Sequence, residues 1–221
     1  AAVQALLRAE ALGRRFLYRT AASFVAVRAG IKPRSLLEPD ELAGGGTGVL
    51  VIAGSYVPKT TEQLRHLVEN SACTALELEV SRVLDDSTRE EAVAEIAGKA
   101  AGGLAADAVV VVYTSRQLVG SDRDRGLAVG RSISEALVDL VQTMSVRPRV
   151  LVAKGGITSS DLATEACEVE RATVMGQILP GVPVWRCGPE SRYPGMPLVV
   201  FPGNVGAPEA LTELVAKLAR K

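Results

Sequence analysis

The chain alternates between short unbroken apolar runs and longer stretches in which apolar residues recur every three or four positions. VLVIAGS (49–55), AVVVVYTS (108–115), the start of VLVAKGGITSSDLATEA (150–166) and LVVFPGNVG (198–206) are unbroken runs. Such runs are expected of strands buried on both faces of a sheet. ALELEV (75–80) alternates like a strand. Between the runs, TTEQLRHLVEN (60–70) places Leu64, Leu67 and Val68 on one helix face, with Thr60 or Thr61 as the expected N-cap. REEAVAEIAGKAAGGL (89–104) reads as a helix ending near Gly102 and Gly103. Residues 131–146 give the strongest helical stripe, built from Ile133, Ala136, Leu137, Leu140, Val141 and Met144. Residues 207–221 close the chain as a helix, with Pro208 in its first turn and basic residues at its end.

Strand and helix alternate over most of the length, which predicts a three-layer α/β architecture with a mainly parallel sheet flanked by helices. ATVMGQIL (172–179) and VPVWRC (182–187) break the rhythm and predict added antiparallel strands, so the sheet is expected to be mixed. Upstream, residues 1–12 read as an amphipathic helix, and FLYRTAASFVAVRAGI (16–31) is ambiguous between helix and strand. KPRSLLEPDELAGGGTG (32–48) holds Pro33, Pro39 and glycines 44–46, and reads as a loop or linker ahead of a 49–221 core. The whole chain, 1–221, is expected to form a single domain.

Composition narrows the function classes. Lysine plus arginine and aspartate plus glutamate both number 25, so a nucleic-acid binder acting through a general basic field is disfavoured. No apolar run nears the roughly 20 residues of a membrane span, and residues 1–12 lack a signal peptide's basic start and long apolar stretch. Cys73, Cys167 and Cys187 are odd in number and far apart, which argues against a disulfide framework or zinc site and for reduced thiols in a cytoplasmic protein. The chain begins without Met, so a fragment or a processed product is expected.

The candidate chemistry sits at strand ends. Ser55, the turn of Gly155, Gly156 and Thr158, and the turn of Gly203 and Gly206 each follow an apolar strand and precede a helix. In open parallel sheets such ends line one crevice, where glycine admits a phosphate close to the backbone and helix N-termini offer free N–H groups. One such turn is commonly a mere connector; three together point to a nucleotide or phosphate ligand. Neither GxxxxGK[ST] nor GxGxxG occurs. Lys154 either reaches a phosphate or is a solvated strand-end lysine. Thr114, Ser115 and Arg116 end a strand and are expected to open onto the same crevice, with Arg116 a phosphate contact. Asp161 reads as a helix cap, or as a residue holding Mg²⁺ through water. His66 reads as a surface residue, Asp85 and Asp86 as a turn or cap, and SDRDRG (121–126) as a solvated loop.

These blocks also carry a family resemblance. GSYVPKTTEQL (54–64), YTSR (113–116), KGGITSSD (154–161), GQILPGVPVWR (176–186) and FPGNVG (201–206) resemble, in order, the C-terminal nucleotide-binding domain of the four-carbon acid sugar kinases. FLYRTAASFV (16–25) resembles the segment leading into that domain. The resemblance implies a Rossmann-like nucleotide-binding domain, with ATP and Mg²⁺ as cofactors. It also implies a kinase of carbohydrate metabolism acting on threonate, erythronate or 3-oxo-tetronate. Family ATP contacts map onto Ser55, onto Gly155, Gly156, Ile157 and Thr158, and onto Gly203. In that family the sugar acid is held mainly by an N-terminal domain with a DDxTGA-like motif, which does not occur here; Asp85, Asp86, Ser87 and Thr88 lack its Gly-Ala. The expectation is therefore an ATP-binding domain that needs a substrate domain from elsewhere, in a homo-oligomer or a larger fused protein. Two other readings stay open: a non-catalytic nucleotide-binding regulatory module, and an NAD-dependent oxidoreductase domain.

Overall fold

The computed structural model describes residues 1–32, 34–54, 56–115 and 123–219, with the backbone alone for 123–125. Ser55, Arg116 and residues 121–122 lie outside the described residues; residues 123–126 of the expected 121–126 loop are helical. The chain divides into two compact units, Ala1–Ser35 and Leu36–Lys221.

The first unit holds α1 (Ala2–Ala11) and α2 (Ala22–Arg28), neither of which has a buried residue. The ambiguous 16–31 segment thus resolves into an irregular stretch followed by a short helix. Side-chain contacts tie the pair together. Tyr18 Oη donates to Glu10 Oε1 at 2.6 Å, Arg28 pairs with the other Glu10 oxygen, and the Tyr18 and Phe24 rings lie 5.3 Å apart. The Tyr18 hydroxyl and then Arg28 hold the Glu10 carboxyl below its usual value.

The second unit is a seven-stranded mixed sheet in the order β2-β3-β1-β4-β7-β6-β5. Its strands are β1 (Thr47–Ala53), β2 (Thr74–Leu78), β3 (Val109–Thr114), β4 (Pro148–Lys154), β5 (Ala172–Leu179), β6 (Val182–Cys187) and β7 (Pro197–Phe201). β1 pairs in parallel with β3 (Val51 opposite Val111) and with β4 (Val51 opposite Val152). β6 runs antiparallel to both β7 and β5. The fold is therefore the mixed, mainly parallel α/β sheet that the apolar pattern predicts.

Alternate residues of each central strand face opposite layers, as the two-residue strand period demands. Leu50 and Ile52 of β1 join the core under α4 (Val80–Val83), α5 (Arg89–Ala105), α6 (Arg123–Thr143) and the turn that follows α7 (Gly156–Asp161). Val49, Val51 and Ala53 join the core under α3 (Pro58–Asn70) and α8 (Ala210–Leu218). The apolar stripe of α6, from Ile133 to Val141, is buried, and so is Met144 just past the helix end. Among the described residues no helix is long and apolar enough to cross a membrane.

Several sequence-based boundaries shift. Within the second unit, Leu37 and Leu42 of the 32–48 segment are buried in the core beneath α3 and α8, and the Leu37 N–H donates to the Gln177 carbonyl at 2.8 Å. A 3-10 turn over Pro39–Leu42 closes with a capping box between Glu38 and Glu41. α3 starts at Pro58 with Val57 at its N-cap, so neither Thr60 nor Thr61 caps it; proline at the first turn has no N–H left to satisfy. α8 starts at Ala210, leaving Pro208 outside the helix. The ALELEV strand ends at Leu78, and the chain turns at once into α4. After α7 the helix widens into a π-helical turn over Leu162–Ala166.

Candidate functional site

β1 and β4 are neighbours, yet the chain leaves them in opposite directions. From β1 it passes through α3 to β2 on one flank, and from β4 through α7 toward β5 on the other. The helices also settle on opposite faces of the sheet. Strand ends at such a reversal leave a crevice that no connection crosses. Here it is a cleft of about 520 Å³.

Four elements wall the cleft. Gly54, Tyr56 and Val57 come from the end of β1, and Gly155, Gly156, Ile157 and Thr158 from the β4–α7 turn. Gly203 and Asn204 come from the turn after β7, and Gly130, Ile133, Ser134 and Leu137 from α6. Two broader depressions share its rim. One is lined by Arg131, Glu135, Ile157 and Asp161, the other by Tyr56, Lys59, Arg65 and Asn204.

Two glycines are required by geometry. A Cβ on Gly54 would lie 2.7 Å from Leu137 Cδ1, so any side chain there would intrude on the α6 wall. Gly155 has φ +116°, ψ 148°, a conformation L side chains rarely adopt. The Gly155 N–H donates to the Phe201 carbonyl at 2.8 Å, which locks the β4–α7 turn against β7. The Ser159 N–H donates to the Gly155 carbonyl at 2.9 Å and begins the helix. The N–H groups of Gly156, Ile157 and Thr158 therefore precede any intrahelical acceptor. Thr158 is nearly buried, whereas Ile157 is 76% exposed and presents an apolar edge at the rim.

The structure thus brings Gly155, Gly156, Ile157, Thr158 and Gly203 around one space, with Gly54 where Ser55 begins. Other candidates are placed elsewhere. Lys154 is 0% exposed and is neither solvated nor in the cleft. Its Nζ donates to the Pro202 carbonyl at 2.8 Å and sits 4.0 Å from the Phe201 ring centroid. Burial, and then the neighbouring Lys59 charge, lower its pKa to about 8. Thr114 and Ser115 do not line the cleft. Thr114 is buried, and Ser115 Oγ accepts from the Val80 N–H at 3.0 Å, joining the end of β3 to α4. Asp161 does not cap a helix; its carboxylate accepts from the Ser134 hydroxyl and links α7 to α6. Gly206 lies beyond the cleft, in the approach to α8. His66 is half-buried rather than on the surface, with Nδ1 2.8 Å from Thr212 Oγ1 of α8. Asp85 accepts from both the N–H and the hydroxyl of Ser87, the turn the sequence predicts.

Tyr56, Val57, Asn204 and the α6 wall are what sequence reasoning missed as site residues. Ile133 and Leu137 carried a signal, but it was the core stripe, which also continues into the cleft. Among the described residues no three acidic, histidine or cysteine side chains converge to hold a metal ion. Cys167 and Cys187 are buried thiols pushed up to about 12 and about 11, chiefly by desolvation.

Solved structures with this fold include a Salmonella typhimurium LT2 protein (TM-score 0.63, 16% identity, 77% of this chain and 40% of that one). Another is a domain of unknown function (DUF1537) from Bordetella bronchiseptica with bound citrate, a domain-swapped dimer (0.62, 22%, 82% and 43%). A third is a Haemophilus influenzae DUF1537 protein (0.62, 19%, 90% and 45%). The chain spans less than half the length of each of them. No curated protein matches it. The family model described as a nucleotide-binding C-terminal domain matches residues 50–211, which takes in the C-terminal part of β1, the β4–α7 turn, the turn after β7 and most of the helices. That agrees with the resemblance to the C-terminal domain of the four-carbon acid sugar kinases, and the chain belongs to the nucleotide-binding C-terminal domain family.

Proposed function

We propose that this chain is the ATP-binding part of a kinase that phosphorylates a four-carbon sugar acid, and that the acceptor is held by a domain outside it. One observation carries the reading: three glycine-bearing strand ends and α6 enclose a single cleft of about 520 Å³ in a member of a nucleotide-binding family. That volume lies within the ordinary range of small-molecule sites. The walls fit the two halves of a nucleotide. Ile133, Leu137, Val57 and Ile157 offer apolar surface for a base, and the β4–α7 turn offers main-chain N–H groups for phosphates.

The acceptor hydroxyl would attack the γ-phosphorus as its bond to the ADP oxygen breaks, the hydroxyl proton passing to a base on the acceptor's side. Catalysis of this kind rests on positioning and on charge stabilisation. Mg²⁺ usually binds through one or two carboxylates together with the phosphates, and Glu135, Asp161 and Glu165 line the depression at the rim. The Bordetella relative's bound citrate, a polycarboxylate, and its swapped dimer support an acidic acceptor and a paired assembly.

Titrating ATP with Mg²⁺ into the chain tests the first half of this reading, and saturable binding is expected. Absence of any saturation would sink it. Adding a family N-terminal domain and a sugar acid tests the second half, with ADP release as the readout. Among the described residues the cleft is lined by hydroxyl, amide and apolar groups without a carboxylate or imidazole, which also favours a binding module without transfer. That second reading predicts ATP binding but no ADP release in the mixed system.

A further inference from the structure

The turn after β7 is held from one side, carbonyl by carbonyl. Lys154 Nζ donates to Pro202 O at 2.8 Å and Thr60 Oγ1 to Gly203 O at 3.3 Å. Gln63 Nε2 donates to Val205 O at 3.0 Å and Ala207 O at 2.8 Å, and Lys59 Nζ to Gly206 O at 3.1 Å. Lys59, Thr60 and Gln63 belong to α3, and Lys154 lies on the same side of the sheet, over Phe201 in the core beneath α3 and α8.

The described peptides are all trans. In a trans peptide the carbonyl and the next residue's N–H point in opposite directions. Anchoring the carbonyls of Pro202 and Gly203 toward α3 therefore turns the N–H groups of Gly203 and Asn204 away from it. Away from α3 is the face of α6 and α7, where both residues line the cleft. Among the described residues no protein acceptor meets either N–H.

A second observation points to an anion. Lys154 is fully buried, and among the described residues no carboxylate pairs with it. Desolvating an ammonium without a counter-ion is unfavourable, and a negative charge one peptide away would offset it. Of the groups packed around Lys154, Phe201 and Pro202 of the β7 end and Ala53 of β1 are uncharged, and Lys59 of α3 is a second cation.

We infer that the 202–206 turn is a preset phosphate cradle, in which Lys154, Thr60 and Gln63 act as positioning residues and Lys154 is the buried counter-charge of the bound phosphate. This rests on the nucleotide reading for its natural ligand. Burial already holds the Lys154 pKa near 8, so phosphate binding should raise it and draw a proton. ATP affinity should then weaken as pH rises from 7.5 to 9.5.

The test is isothermal titration of adenosine, ATP and tripolyphosphate into the wild-type chain and into the Lys154→Met, Thr60→Val and Gln63→Leu variants. Lys154→Met should weaken ATP and tripolyphosphate by roughly 10- to 100-fold, and Thr60→Val by roughly 3- to 10-fold, with adenosine changed less than about twofold. The pH dependence of ATP affinity should vanish in Lys154→Met, whose thermal midpoint should not fall. If Lys154→Met does not fold, the near-isosteric Thr60→Val carries the comparison. Equal losses for adenosine and ATP, unchanged ATP affinity in folded variants, or a pH dependence that survives Lys154→Met would overturn the cradle. Wild-type binding of tripolyphosphate without ATP preference would overturn the nucleotide reading and leave the cradle standing. Binding of neither would overturn both.

Discussion

Gly54 and Thr158 face each other across the β1–β4 cleft so closely that a methyl group on Gly54 would sit 3.1 Å from Thr158 Oγ1. The same methyl would press on Leu137 Cδ1 at 2.7 Å, the mobile end of a core side chain. Gly54→Ala is therefore expected to fold, at an overpacking cost of about 1–3 kcal/mol. It should also weaken ATP binding, because Gly54, Leu137 and Thr158 all line the cleft. Chemical denaturation and an ATP titration on the same preparation check both effects. Wild-type affinity in the variant would show that the cleft does not house the nucleotide.

Gly155→Ala tests the turn by a different route. At φ +116° an alanine is strained whatever the space around it, at about 1–3 kcal/mol. For a domain of this size each kcal/mol lowers the melting temperature by about 2–4 °C. The Gly155 N–H to Phe201 carbonyl bond would be disturbed as well, so ATP affinity should drop together with the melting point in calorimetry.

Ile157 separates stability from binding. It is 76% exposed, so Ile157→Ala should alter unfolding free energy by no more than about 0.5 kcal/mol. Its position on the rim predicts weaker ATP and adenosine binding all the same. Unchanged affinity for both ligands would remove Ile157 from the contacts.

Lys154 gives the free chain a pH signature. Its folded pKa of about 8 lies below the ordinary lysine value of 10.5, so between those two pH values the unfolded chain binds more protons than the folded one. Stability should therefore rise with pH from about 8 to about 10.5, and below pH 8 the full penalty of the buried ammonium is present. The gain is on the order of 3 kcal/mol, and it should be missing from Lys154→Met in urea melts at stepped pH.

The layers of the fold were legible because parallel strands covered on both faces must be apolar throughout. Val109 to Val112 could hardly be anything else. The hairpin of β5 and β6 announced itself through Gly181 and Pro183, which interrupt the strand–helix alternation. What stayed hidden depends on partners distant in sequence. Leu37 and Leu42 sit among turn-forming residues, and nothing local says that α3 and α8 will cover them. Lys154 looks like any strand-end lysine until Phe201 and Pro202 are folded against it. Ser115 is a plausible crevice residue until its hydroxyl is found on the Val80 N–H. Along α6, helical period identifies the buried face but not the point at which burial passes from core to cleft wall. Cleft positions set by glycine were readable, since glycine after a strand states a backbone requirement in the sequence itself.

In the cradle inferred above, the five carbonyls tethered beneath the 202–207 turn carry an evolutionary consequence. A binding surface made of main-chain amides presents the same atoms to a ligand whatever side chains surround it. Selection then acts on the few residues that shape or tether the backbone, while the visible rim is free to drift. Such a site can pass between lineages whose sequences have become nearly unrecognisable to one another. In a lineage of this kind, loss of function would begin in the anchors on α3 and β4, where no ligand touches.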